Sequence, residues 1–315
     1  MKLVSSHRLV RQLFEFFFLL IALATTGSLG LYAAGSSSWT DAFYSSLSAV
    51  CLSSCYQIND LTDPRIWISM LLMSAGGILM ILMIVRAFNS AQPVEGHEMI
   101  HQHAWHWLRD QKRKWLYGLL CIVAIIPVLA AFVLMPFWHP DHIWAAGEKW
   151  PASLFICVSS WYNAGAHFGI FQGETPELIV RAFSVVLSFM GSLGILVWLD
   201  LFHPLALRFR MRFPESRIHV LSRVSLYGMS LLVLGTSIWI FLSSSDLSAA
   251  GKSMRIVDSA EATMGILTGS AQSFSFSLNA PGYFIMLIGS PVVLLFIWYA
   301  RTRGKLMFLL LAFAA

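Results

Sequence analysis

The sequence predicts an all-α integral membrane protein in which three units of helix, short re-entrant helix and helix surround a pseudo-symmetric axis. Three observations predict it. The 315 residues are 57% hydrophobic and only 12% charged, against about 25% charged in a soluble domain, and mean hydropathy is +0.69. Apolar runs long enough to cross a bilayer alternate with runs too short to cross one, at about 1.5 Å of rise per residue. Basic residues collect between the units, where they hold those segments in the cytoplasm. The net charge of +5 is thus an orientation signal and implies no nucleic-acid partner. Composition points instead to membrane lipid as partner, in a multi-pass plasma-membrane protein with both termini cytoplasmic.

The first unit covers residues 1–88. Leu13 to Ala34 is its first span, preceded by Lys2, Arg8 and Arg11. That run is too long for a signal-peptide core and predicts a retained helix. Asp41 to Ser53 is a short apolar helix, and Ser54-Cys55-Tyr56-Gln57 is its turn. Ile66 to Val85 is the second span, whose Ser74-Ala75-Gly76-Gly77 permits close helix contact. Residues 89–114 form a basic, His-rich cytoplasmic linker. Within it His97 and His101 share a helix face and are the weak candidates for a transition-metal site. Trp105, Trp107 and Trp115 mark the same segment as interfacial, so no metal site is predicted there.

The second unit covers residues 115–203. Trp115 to Trp138 is a span with Pro127 as a kink. Trp150 to Trp161 is the second short helix, Tyr162-Asn163-Ala164-Gly165-Ala166 its turn, and Glu177 to Leu199 the returning span. Residues 204–223 are a cytoplasmic loop carrying Arg208, Arg210, Arg212, Arg217 and Arg223. The third unit covers residues 224–305. It holds a span from Ser225 to Leu242 and a short helix from Val257 to Leu267. The turn Thr268-Gly269-Ser270-Ala271 and a last span from Gly282 to Tyr299 complete it. Residues 306–315 are an apolar tail.

The three short helices resemble one another: AFYSSLSAVCLSSCY, SLFICVSSWYNAGAH and SAEATMGILTGSAQS. Repeats of this size predict pseudo-symmetry about the membrane normal. Irregular backbone at membrane depth must be buried in protein or line water, and such turns can offer carbonyls to an ion. The candidate cation filter is therefore Ser53, Ser54 and Cys55, with Asn163, Ala164 and Gly165, and Thr268, Gly269 and Ser270. None is a carboxylate, which favours a monovalent over a hard divalent cation. Gly165 is expected to turn the chain at positive φ and aim the carbonyls of Asn163 and Ala164 inward. A bound potassium or sodium ion is the one non-protein component expected; no organic cofactor is. No HExxH, GxSxG or carboxylate pair lies within a span. Buried ionisable groups, the usual mark of membrane catalysis, look nearly absent, so no enzymatic activity is expected. The four cysteines have no CxxC spacing that would indicate a disulfide framework or zinc site.

SLFICVSSWYNAGAHF is similar to the pattern LFHSVSAFNNAGF, and FYSSLSAVCLSSCY to LFTAVSAVTTTGL, the second and first pore segments of the Trk/Ktr/HKT superfamily of potassium transporters. LLMSAGGILMIL and LSFMGSLGILVWLDL resemble that superfamily's LMFIGGLGF spans. In IMLIGSPVVLL, Gly289, Ser290 and Pro291 resemble the start of its gate loop, IGGSPGSTAGG. The resemblance covers about residues 10 to 300. It implies four units arranged like a potassium-channel tetramer, a bacterial inner-membrane location and a potassium-uptake function. It also implies a homodimer or a partner membrane subunit, and a cytoplasmic nucleotide-binding regulatory subunit. The sequence departs from it at Cys55, where glycine is usual, and at Ser270 unless Gly269 takes that place by a shift of one residue; it departs also after Pro291, and in ending where a fourth unit would begin. Two readings follow: a monovalent-cation translocating subunit, or a non-conducting homologue acting as an interaction or regulatory subunit.

Overall fold

The computed structural model describes residues 2–52, 57–58, 64–90, 112–138, 149–164, 167–168, 178–193, 198, 218–243, 256–257 and 259–264. These are helical almost throughout. In chain order they form α1 (Lys2–Ala33), α2 (Trp39–Val50), α3 (Arg65–Ser90), α4 (Lys112–Leu134), α5 (Lys149–Trp161), α6 (Leu178–Ser192) and α7 (Ile218–Ser243). Residues 256–257 and 259–264 are helical as well. Two strands of two residues, β1 (Gln57–Ile58) and β2 (His167–Phe168), pair in parallel. Among the described residues two helical stretches, Phe14–Ala33 and Arg65–Met83, are long and apolar enough to cross a membrane.

The first unit is a three-helix packet in which α1, α2 and α3 all touch. Ser38 caps α2, its Oγ accepting from the Asp41 backbone N–H at 3.1 Å, which satisfies one of the orphan donors of a helix start. The buried face of α2 is Ala42, Ser46, Ser48, Ala49 and Val50. Its small side chains let α1 approach: Ser46 donates from Oγ to the Ala24 carbonyl at 2.7 Å. Leu31 of α1 and Ile66 and Met73 of α3 are each almost wholly buried.

The second unit repeats the order, with α4 and α6 packed on α5. Pro127 lies inside α4. A 3₁₀ turn at Met135–Phe137 follows it. The buried Trp138 indole N–H then donates to Ser153 Oγ at 2.7 Å, and Lys149 Nζ donates to the Trp138 carbonyl. These bonds tie the start of α5 to the end of α4. Phe155, Cys157 and Ala152 of α5 are wholly buried.

Several boundaries differ from the expectations above. α2 ends at Val50 instead of Ser53, because Leu52 takes the left-handed conformation (φ 57°) and stops the helix. α6 ends at Ser192 instead of Leu199. Two glycines, Gly191 and Gly194, weaken it there. The indole of Trp198 donates to the Met190 carbonyl at 3.0 Å, one of the carbonyls that a helix end leaves without a partner. α3 runs on to Ser90, α4 begins at Lys112 inside the expected linker, and α7 begins at Ile218 inside the expected Arg-rich loop. Hydropathy marks only the apolar part of a helix, whereas backbone hydrogen bonding continues past it.

Candidate functional site

The C-terminal ends of α2 and α5 come together on one stretch of α3, and glycine makes this close approach feasible. A Cβ on Gly76 would lie within 3 Å of the Val50 carbonyl group, the last of α2, and one on Gly77 would run into the Tyr162 ring that follows α5. α6 repeats the device in the second unit. There a Cβ on Gly191 would meet the Trp161 carbonyl, the last of α5. Val50 and Trp161 are thus equivalent positions, as are Gly76 and Gly191.

Both short helices close in the same way. In α5 the Ala164 N–H donates to the Ser159 carbonyl (2.8 Å) and the Asn163 N–H to that of Ser160 (3.1 Å). With Asn163 at φ 54°, this is a Schellman closure, with asparagine in the place usually held by glycine. In α2 the Leu52 N–H donates to the Ala49 carbonyl at 3.3 Å, and Leu52 is the left-handed residue. Ser188 of α6 donates from Oγ to the Ser160 carbonyl, and the Trp161 and Trp198 rings pack at a tilt, their centroids 5.2 Å apart. Beyond the closures, the chain leaving α2 pairs with the chain leaving α5, Gln57 opposite His167 and Ile58 opposite Phe168.

The electrostatics of this junction are one-sided. Each helix C-terminus carries roughly half a negative charge from its unpaired carbonyls, and two of them meet here. Tyr162 is buried, as is the Oδ1 atom of Asn163. Among the described residues, neither the Tyr162 hydroxyl nor Asn163 Oδ1 has a hydrogen-bond partner. The Tyr162 hydroxyl does lie against Ser74, but without good hydrogen-bond geometry. A buried acceptor without a donor costs about 1–3 kcal/mol, which a bound cation or water would relieve.

Of the residues predicted for the filter, Asn163 and Ala164 lie at this junction. Ser53, Ser54, Cys55, Gly165, Thr268, Gly269 and Ser270 lie outside the described residues, as do Gly289, Ser290, Pro291, His97 and His101. The left-handed residue recorded in the second turn is Asn163, two positions before Gly165.

One expectation is corrected. Buried ionisable groups looked nearly absent, yet Arg181 of α6 and Glu261 in the helical residues 259–264 are both buried (7% and 8% exposed). Arg181 donates from Nε (2.9 Å) and Nη2 (2.5 Å) to Glu261 Oε2. The legible signal was a single charge of opposite sign in each of two otherwise apolar segments, LIVRAFSVV and SAEATMG. Around this pair Thr263 is buried and its hydroxyl accepts from Ser237 of α7 at 3.1 Å. No protein-family model matches the chain, and no curated protein matches it as a relative.

Proposed function

We propose that the chain is a membrane subunit that translocates a monovalent cation, potassium or sodium, through a path lined by the turns after its short helices. The observation that carries this reading is the meeting of the α2 and α5 C-termini on Gly76 and Gly77, with the two outgoing chains paired in parallel. Two negative helix ends brought together are unfavourable without a cation. Asn163 Oδ1, which has no hydrogen-bond partner among the described residues, and the Tyr162 hydroxyl supply further oxygens beside them.

A membrane setting is supported by the outer faces of the helices. Only 28% of the Phe14–Ala33 window and 39% of the Arg65–Met83 window is buried within the protein. The core helix of a soluble protein would be mostly buried. Phe14, Phe18, Leu71, Leu231 and Leu242 are each at least 70% exposed, as side chains facing lipid tails would be. α2 and α5, at 12 and 13 residues, are too short to cross a core of about 30 Å and enter it as re-entrant helices.

The test is radiotracer potassium and sodium uptake in cells deficient in potassium uptake, with variants expressed to equal level. Gly165→Ser is expected to lower flux or shift the potassium-to-sodium ratio more than Gly169→Ser or Gly173→Ser. Equal effects at all three would remove the reason to regard this turn as a filter. A second reading, a non-conducting scaffold subunit, is favoured by Leu52: a bulky residue holds the left-handed position of the first turn. On that reading no variant changes any ion flux, and Gly165→Ser alters stability alone.

A further inference from the structure

The buried Arg181–Glu261 pair joins segments 80 positions apart, the second unit's α6 and the third short helix. Its place in the repeat is informative. Ile66 precedes Gly76 by ten residues, as Arg181 precedes Gly191. Phe155 is the third residue of SLFICVSSW, and Glu261 the third of SAEATMG. Ser153 and Ser259, which begin these segments, are both buried (0% and 2% exposed), and so are Ile66 and Phe155 (0% each). At the positions that correspond in this alignment, the first and second units hold two buried apolar side chains; the second and third hold a guanidinium and a carboxylate.

Replacing a buried apolar pair by an ion pair adds little stability, because desolvation cancels most of the attraction. What it adds is selectivity among alignments. Apolar side chains tolerate a slide of one helix along another. A buried Arg does not, because any slide leaves two charges unpaired in an apolar interior. The fork geometry sharpens this, since both Nε and Nη2 reach the same oxygen.

We propose that Arg181 and Glu261 are an ionic key that admits the helical residues 259–264 to the second unit in one register only. The register matters for transport only if the proposed function holds; the key itself does not depend on it.

The test uses the full chain in lipid nanodiscs, with thermal unfolding and hydrogen–deuterium exchange of residues 256–264 as readouts and residues 39–50 as internal reference. Arg181→Leu is expected to speed exchange at 256–264 by about tenfold or more while leaving 39–50 unchanged. Because the single variant strands a buried charge and risks misfolding, two double variants decide the matter. Arg181→Ile with Glu261→Phe, which installs the first seam's residues, is expected to restore the unfolding temperature yet leave exchange at 256–264 fast. Arg181→Glu with Glu261→Arg is expected to restore slow exchange. If the apolar double variant exchanges as slowly as the wild type, or the charge swap exchanges as fast as Arg181→Leu, the ionic key is overturned. A third readout is the potassium-to-sodium uptake ratio in vesicles, which the apolar double variant should shift and the charge swap should leave close to wild type. Wild-type vesicles that take up neither cation would remove the transport reading, and the exchange data would still decide the key.

Discussion

The seam between the first and second units and the seam between the second and third are built on the same plan with opposite chemistry. At the places equivalent to the ion pair the first is apolar, with Ile66 and Phe155 wholly buried, and the Tyr162 ring rests on Gly77. The second carries the buried Arg181–Glu261 pair and a hydroxyl contact between Ser237 and Thr263. The difference separates two tasks. An apolar seam supplies adhesion and tolerates local variation, whereas an ionic seam supplies little adhesion and fixes alignment.

The largest expected effect comes from putting leucine at the equivalent place in each seam. Arg181→Leu should cost about 3–5 kcal/mol, the penalty for stranding a buried charge, while Ile66→Leu should cost under about 1.5 kcal/mol. Thermal unfolding followed by tryptophan fluorescence compares them, and equal losses would mean that the second seam is apolar in practice. Next come the glycines that receive the short-helix ends. Gly76→Ala and Gly191→Ala should each destabilise by about 1–3 kcal/mol, because the obstructing atoms are backbone and cannot rotate away. A tolerated alanine at either one would break the equivalence of the two units.

The two helix closures should differ more mildly. Leu52→Gly should stabilise by about 1 kcal/mol, by relieving a branched residue from left-handed geometry. Asn163→Gly should gain less from backbone strain, since asparagine adopts that geometry with little strain; any larger gain measures the release of its buried Oδ1. The smallest effect lies at the helix starts. Asp41 sits below its ordinary pKa of 3.8 because the hydroxyls of Ser38 and then Ser37 hydrogen-bond to it; α5 has no acid in its first turn. The lowered value means that the ionised form favours the fold. This contribution is complete above 3.8 and fades as pH falls through the lowered value. Removing the hydroxyl with Ser38→Ala should move the Asp41 titration back up toward 3.8, as carboxyl NMR would record, and leave exchange in α5 unchanged.

The sequence by itself determined the helical class, the positions of the first two short helices to within a few residues, and the turn containing Asn163 and Ala164. Those features depend on hydropathy over a local window and on turn-forming residues, which any stretch of chain carries within itself. The tertiary structure decided the rest. Leu52 is not a residue that announces a left-handed turn, and it adopts one where α2 must end against α3. Gln57 and His167 are ordinary polar residues until the two units lie side by side and bring their strands into register. Neither Arg181 nor Glu261 has its partner nearby in sequence, and their approach across 80 positions helps make the burial of both tolerable. Pairing energies of this kind depend on which faces meet, and no local periodicity specifies that.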